Sequence, residues 1–341
     1  EISSSIAMDS QGRFLIAWNS AYVISGFEMH NYLLVQRFDS GGICLCDSGQ
    51  GDDCPALLSV DEDFVSHLLP SVALSADGYA SVRWLGHRMV VAETPDTVLG
   101  SSFEFDLSPF VPPAQSPPDP GAGDYHPSAG VSDYLIDGWN FYTLAWSRKN
   151  GSDGALVYWD PSTSTIRAIA ECEYGGDVCF TDKWQPSVAM RSTDGAFVIT
   201  WAAAENPEDE FSRFDIKLQL YGTDGLPIGN ELTVNQPLGI APTSEESPAL
   251  DFDDDGNLVA VWTGPGPTAC APGRHIYARR LLWNGSGTPQ FESSPFVVDS
   301  DSAWEPISAV DANPTVALSM DAWDISQSTS ADCNDNGIPD E

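Results

Sequence analysis

The C-terminal segment Asp332-Cys-Asn334-Asp-Asn336-Gly337-Ile338-Pro-Asp340-Glu341 sets oxygen-bearing side chains at alternate positions, then a glycine. Alternation turns successive oxygens to one side, and the glycine permits the sharp bend that a calcium loop needs. Asp332, Asn334 and Asn336 would supply side-chain oxygens, Ile338 a carbonyl and Asp340 a further carboxylate, so calcium is the expected cofactor. The bidentate acid that ends a full loop of this kind would fall beyond Glu341. A second stretch, Asp251-Phe-Asp253-Asp-Asp255-Gly256, opens in the same way. It coincides with a hairpin tip, so a solvated acidic turn competes there with a metal site.

The seven cysteines are Cys44, Cys46, Cys54, Cys172, Cys179, Cys270 and Cys333. Cys46 and Cys54, and Cys172 and Cys179, bracket Gly/Asp-rich turns that a disulfide could close, and Cys270 and Cys333 could tie the C-terminus to the body. Disulfide staples in an oxidising compartment are the expectation. Zinc is disfavoured, because Cys-x-Cys is not zinc spacing and no histidine lies beside these cysteines. An odd count leaves one thiol over, for a partner chain or none. Asn150-Gly-Ser and Asn284-Gly-Ser are glycosylation sequons. A start at Glu1 without Met is expected of a mature chain whose leader has been removed. These features together point to a secreted or cell-surface protein.

The elements that must position these residues repeat. Each copy is a short apolar strand, an Asp-Gly-type turn, a second apolar strand and a tryptophan. The copies run Ile6 to Trp18, Pro70 to Trp84, Pro127 to Trp146, Pro186 to Trp201 and Pro248 to Trp262. A sixth opens at Pro314-Thr315-Val316-Ala317-Leu318-Ser319 and fades. The prolines at 70, 127, 186, 248 and 314 are 57, 59, 62 and 66 residues apart. That period suits a four-stranded propeller blade with generous loops. Asp-Gly between alternating apolar runs predicts a type I′ hairpin, with positive φ at both central residues. Further strands are expected at Tyr32–Phe38, Asp215–Tyr221, Glu231–Val234, His275–Leu282 and Pro295–Val298. The recurring tryptophan is expected to pack between neighbouring blades.

The run Pro186-Ser-Val-Ala…Asp194-Gly195…Phe197-Val-Ile-Thr-Trp201, followed by Ile216-Lys-Leu-Gln-Leu-Tyr221 and Gly229-Asn-Glu-Leu-Thr-Val-Asn235, resembles the repeat of bacterial extracellular β-propeller proteins. The resemblance spans nearly the whole chain and implies an all-β propeller fold and an exterior location, with no particular activity. The C-terminal acidic segment resembles the calcium repeats of dockerins and thrombospondin type 3 repeats. The expected organisation is a propeller over 1–313 with five four-stranded blades starting near 1, 70, 127, 186 and 248. An extra strand over 314–326 and a calcium-loop-like tail over 327–341 follow. The alternative is six blades with an incomplete last one.

Fourteen Lys and Arg against 50 Asp and Glu give a net charge of −36, which repels nucleic-acid phosphate. No apolar run is long enough to insert in a membrane as a helix. Apolar residues at 42% are enough for a core. The stretch from Asp106 to Asp124 holds six prolines and reads as a stiff surface excursion. Five dispersed histidines, with no Gly-x-Ser-x-Gly elbow, His-Glu-x-x-His pair or phosphate-cradling loop, predict that the chain is not an enzyme. Ser75-Ala-Asp77-Gly78 breaks the spacing of the sialidase Asp box, and no arginine trio is evident. The leading expectation is an extracellular structural or adhesive propeller that assembles with itself. Thr315, Val316, Ala317, Leu318 and Ser319 would be the donated strand, and calcium a second link. A module that binds extracellular glycan or protein is the alternative, and a glycoside hydrolase with two axial carboxylates is the less favoured one.

Overall fold

The computed structural model describes residues 4–298, apart from the single positions 161, 192 and 293 and the stretches 26–27, 46–55, 58–65, 88–96, 105–113, 116–122, 137–138, 151–152, 163–164, 172–182, 205–212, 236–244, 254–255, 266–273 and 284–286. Among the described residues there are only strands and turns.

The strands follow the repeats. Unit 1 holds β1 (Ser4–Met8), β2 (Phe14–Ser25), β3 (Glu28–Phe38) and β4 (Ala56–Leu57). Unit 2 holds β5 (Ser66–Leu74), β6 (Tyr79–His87), β7 (Thr97–Glu104) and β8 (Ala114–Gln115). Unit 3 holds β9 (Gly123–Ile136), β10 (Trp139–Asn150), β11 (Asp153–Asp160) and β12 (Thr165–Glu171). Unit 4 holds β13 (Lys183–Met190), β14 (Phe197–Ala204), β15 (Phe214–Tyr221) and β16 (Pro227–Thr233). Unit 5 holds β17 (Glu246–Phe252), β18 (Leu258–Pro265), β19 (Arg274–Leu282), β20 (Gln290–Phe291) and β21 (Phe296–Val297). Within each unit, neighbours in sequence pair antiparallel, except that β20 and β21 of unit 5 both pair with β19.

The fold is an all-β propeller-like ring of sheets. Among the described residues it holds four hydrogen-bonded sheets, where the repeats predict five separate blades. The reason is local. β3 is long and β4 covers only its Leu34–Val35 end, so Asn31 is open to a parallel pairing with Ser66 that fuses units 1 and 2 into one eight-stranded sheet.

The hairpin turns also differ from expectation. Gly12, Gly78, Gly195 and Gly256 have positive φ, while Gln11 before Gly12 and Asp77 before Gly78 do not. Gly12 N–H donates to Asp9 O at 3.0 Å and Asp9 N–H to Arg13 O at 2.8 Å. This is a type I turn closed by a glycine bulge, one residue longer than a type I′ turn. It is favoured because the opening side chain caps the loop. Asp9 Oδ1 accepts from Gln11 and Arg13 N–H, Ser75 Oγ from Tyr79 N–H, and Asp253 Oδ1 from Asn257 N–H.

Units pack face to face through apolar clusters. One joins units 1 and 2 around Leu15, Val35, Val72 and Trp84. A smaller one sets Ala73 of unit 2 against Ala129 and Trp146 of unit 3. The next joins units 3 and 4 around Tyr158, Phe197 and Trp201, and the largest joins units 4 and 5 around Val198, Ile216, Phe252 and Trp262. The recurring tryptophan is the inter-unit packing residue that the sequence predicts. Trp84, Trp146, Trp201 and Trp262 are at most 1% exposed.

The inner strands are also stapled to one another. Val72 N–H donates to Ser5 Oγ at 3.0 Å, Ala129 N–H to Ser71 Oγ at 3.1 Å and Val188 N–H to Ser128 Oγ at 3.0 Å. The serine at this position, preceded by proline in units 2 and 3, therefore accepts a backbone bond from the next unit, where a buried amide would otherwise lack a partner.

Candidate functional site

The inner strands of units 2, 4 and 5 begin with the same distortion. Leu69, Gln185 and Ser247, each preceding a proline, all have φ of 51°. Pairing with the second strand shifts there, between Leu68 and Ser71, Trp184 and Ser187, and Glu246 and Ala249. Proline has no N–H to give to the ladder, so a bulge at this place loses little pairing and re-aims the residue before it. A non-glycine residue in left-handed geometry carries strain of about 1–3 kcal/mol. Its repetition in three units marks this end of the ring as a constructed feature. The re-aimed Gln185 Oε1 accepts from Ser247 N–H at 2.8 Å and from Ser247 Oγ at 3.3 Å, joining unit 4 to unit 5.

Beside this joint lies a carboxylate–amide cluster. Asn235 Nδ2 donates to Asp215 Oδ1 at 3.0 Å and also to Glu245 Oε2. Glu245 is only 4% exposed, and its backbone N–H donates to Phe214 O at 3.1 Å. Asn235 is held in turn, because Ile216 N–H donates to its Oδ1 at 3.2 Å. Lys217 Nζ donates to Thr233 Oγ1 at 2.7 Å and lies 3.7 Å from Asp215 Oδ2 and 3.9 Å from Glu231 Oε1. Arg279, 5% exposed, donates to Val234 O at 2.7 Å and lies over the Phe291 ring, and burial lowers its pKa.

Tyr277 closes the other side. Its Oη donates to Pro265 O at 2.5 Å, and burial, helped by the charge of Glu245, pushes its pKa up to about 12. Gly264 is the spacer between the two. A Cβ there would lie 3.1 Å from both Glu245 Cγ and the Tyr277 ring. The cluster thus offers two carboxylates held by one amide nitrogen, an ammonium and a phenol. Such groups suit hydrogen bonding to the hydroxyls of a sugar, and a pair of carboxylates is what glycoside hydrolysis uses.

The residues singled out in the sequence lie elsewhere. Asp251 Oδ1 accepts from Phe252 N–H at 2.7 Å. Asp253 accepts from Asn257 N–H and from Arg280 Nη2, both at 2.8 Å. Burial pushes its carboxyl up, but these bonds outweigh burial and hold it below the usual range. The structure therefore gives Asp253 the role of a hairpin cap paired with arginine, and Asp255 lies outside the described residues. Among the described residues, no group of three or more metal-capable side chains converges. Asp332, Asn334, Asn336, Ile338 and Asp340 lie outside the described residues, as do Thr315–Ser319 and Asn284. Asn150 ends β10. Cys44 Sγ accepts from Gln36 Nε2 at 2.6 Å, and the other six cysteines lie outside the described residues.

Sequence reasoning did not find Asp215, Asn235 or Glu245. They stand on three separate segments and form no linear motif. The one available signal was the recurrence of Leu-Pro, Gln-Pro and Ser-Pro at the inner-strand starts.

No family model matches the sequence, and no curated protein matches it. Solved structures do match in fold. The leech intramolecular trans-sialidase, complexed with 2,7-anhydro-Neu5Ac, superposes with a TM-score of 0.53 at 7% identity over 88% of this chain and 61% of its own. The Hadza microbial sialidase Hz136 gives 0.51 at 11% identity, over 89% and 60%. This chain spans about three fifths of the length of both. A GH43 endo-arabinanase from Bacillus licheniformis superposes at 0.39, with 13% identity. At such identities the likeness establishes the propeller fold.

The expectation that the chain is not an enzyme is corrected to this extent: its fold is one that enzymes use, since structures superposing above 0.5 are named as a trans-sialidase and a sialidase. That expectation rested on the absence of linear motifs. A propeller can assemble a site from segments far apart in sequence, so the absence was uninformative.

Proposed function

We propose that this chain is a glycan-recognising β-propeller whose site lies at the end of the ring where the inner strands begin. The observation that carries this is the cluster of Asp215, Asn235 and Glu245 beside the strained Gln185–Ser247 joint. Two carboxylates fixed by one amide, next to Lys217, form a dense array of acceptors and donors of the kind that orients sugar hydroxyls. The fold likeness to sialidases supports this reading.

Hydrolysis is a second reading, favoured by one specific feature. Asp215 and Glu245 accept from the same nitrogen, so they lie close enough to act as a pair. The deeply buried Glu245 is then the candidate acid and the half-buried Asp215 its partner. An exterior location rests on the cysteines and the acidity. Self-assembly through calcium or Thr315–Ser319 rests on residues outside the described part, so it stands as a separate proposal.

The test is a glycan array together with a panel of aryl glycosides, run on the full chain and on Glu245→Gln. Binding that falls at least about tenfold in the variant, while the circular-dichroism melt keeps its midpoint, supports the site. Turnover that vanishes in the variant supports the hydrolytic reading. Binding that survives Glu245→Gln unchanged overturns the site.

A further inference from the structure

Four boundaries between consecutive units are sealed by apolar clusters, and the described residues form none between unit 5 and unit 1. Side chains along a strand alternate between the face toward the following unit and the face toward the preceding one. The recurring tryptophan lies on the preceding-unit face. It is buried in units 2 to 5, but Trp18 of unit 1 is only half-buried. The same holds for Ile6 and Ile16, whose counterparts Val72 and Val82 have no exposure. On unit 5, Ala249, Val259 and Val261 are half-buried, while Leu250, Leu258 and Ala260 beside them are buried against unit 4. Among the described residues, two apolar sheet faces, one on unit 1 and one on unit 5, are therefore only half-buried, where their counterparts at the other boundaries are sealed.

We infer that residues 314–319 of this same chain cover them, as the inner strand of a further unit docked between unit 5 and unit 1. Three observations on different parts of the molecule converge. Pro314-Thr-Val-Ala-Leu-Ser319 differs from Pro70-Ser-Val-Ala-Leu-Ser75 of β5 only by Thr for Ser. The chain also leaves unit 5 as it leaves unit 4. Val298 N–H donates to Ile276 O and Val234 N–H to Ile216 O, both at 2.8 Å. From Val234 the next inner-strand proline, Pro248, is 14 residues on, and from Val298, Pro314 is 16 residues on. A linker of nearly the same length would deliver the segment to the next inner-strand position.

Finally, Thr315 falls where Ser5, Ser71 and Ser128 stand. Its hydroxyl would accept the Ile6 N–H as Ser5 accepts that of Val72. Val316 and Leu318 then face unit 5, and Thr315 and Ala317 face unit 1. The match of linker length favours this docking within one chain over a strand donated by a second molecule.

The test is amide hydrogen exchange on the full chain with light scattering on the same samples, comparing it with Val316→Asp/Leu318→Asp and with Thr315→Val. Expected is a monomer whose Ile6 amide and 316–318 amides exchange slowly at every protein concentration. The double variant speeds exchange in β1 at least about tenfold and leaves Val198 and Leu218 protected, which shows that units 4 and 5 remain folded. Thr315→Val speeds Ile6 alone. Protection that rises with concentration alongside a growing particle mass overturns the inference in favour of a strand donated between copies. Exchange of Ile6 that is fast in the full chain, or that is unchanged by both variants, overturns it outright.

Discussion

The second strands of units 1 and 4 have nearly the same sequence and different surroundings. Phe14-Leu-Ile-Ala-Trp18 in β2 alternates between half-buried and buried, whereas Phe197-Val-Ile-Thr-Trp201 in β14 is buried at every position. Both pair on both edges in antiparallel sheets. The difference is that β14 has units 3 and 5 on its two faces, and the described part of β2 has only unit 2. Burial in a ring of sheets is thus a property of the neighbours, and the same five-residue pattern reads differently at a sealed and at an open boundary.

Truncating the tryptophans sharpens this contrast most. Trp201→Ala is expected to cost about 3–5 kcal/mol in urea unfolding, since it empties a packed cluster. Trp18→Ala is expected to cost nearly as much in the full chain, and clearly less in the Val316→Asp/Leu318→Asp background. Additive costs in that double-mutant cycle would show that the segment and Trp18 do not touch.

Backbone effects at the sealed boundaries come next. Gly225 has φ of +69°, and a Cβ there would collide with the Asp160 carboxylate, which is buried and paired with Arg167 at 2.5 Å. Gly225→Ala should lose about 2–3 kcal/mol, read from the denaturation midpoint. Ser71→Ala leaves the Ala129 N–H without its acceptor and should lose about 1–3 kcal/mol.

The smallest effects are in pH. Tyr158 donates to Gly225 O at 2.7 Å across the boundary of units 3 and 4. Burial pushes its pKa up to about 12, with Arg167 opposing and Asp160 and Asp224 adding to the rise. Tyr277 is raised to about 12 at the unit 4–5 boundary. The folded state keeps these protons longer than the unfolded chain does, so their contribution is complete below about pH 10 and is lost as pH rises to about 12. On the acid side, Asp194 and Asp253 lie below the usual carboxylate range. Burial raises each, but hydrogen bonds from Arg191 and Arg280 lower them further. Their contribution is present above the ordinary aspartate pKa and fades as pH falls through their lowered values. Loss of midpoint between pH 10 and 12 that persists in Tyr158→Phe and Tyr277→Phe would remove these groups from the account.

The parts of the fold legible in one dimension are those set by neighbours in sequence. Apolar alternation around Asp-Gly turns gave the hairpins, and the recurring tryptophan was rightly placed between units at Trp84, Trp146, Trp201 and Trp262. The turn type was misjudged at Asp9–Arg13 and Ser75–Tyr79, because the opening side chain decides whether the loop takes an extra residue, through bonds that the Asp-Gly pair alone does not specify. The serine after each proline was quoted as a pattern, yet its work is to accept an amide from another unit, some 60 residues away. The candidate site was not legible, since Asp215 and Glu245 stand 20 and 10 residues from Asn235 in sequence and meet it only through tertiary contacts.

By itself the sequence determined the all-β class, the propeller-like repeat and the order of the strands, because the hydrophobic period, the turn residues and the repeat length are local quantities. Tertiary structure alone decided the fusion of the first two units through Asn31 and Ser66, the strain at Leu69, Gln185 and Ser247, and the acid–amide cluster. It also decided that Trp18 is half-buried while its four counterparts are sealed between units. Each depends on which sheet lies against which, and that follows from how the ring closes in space.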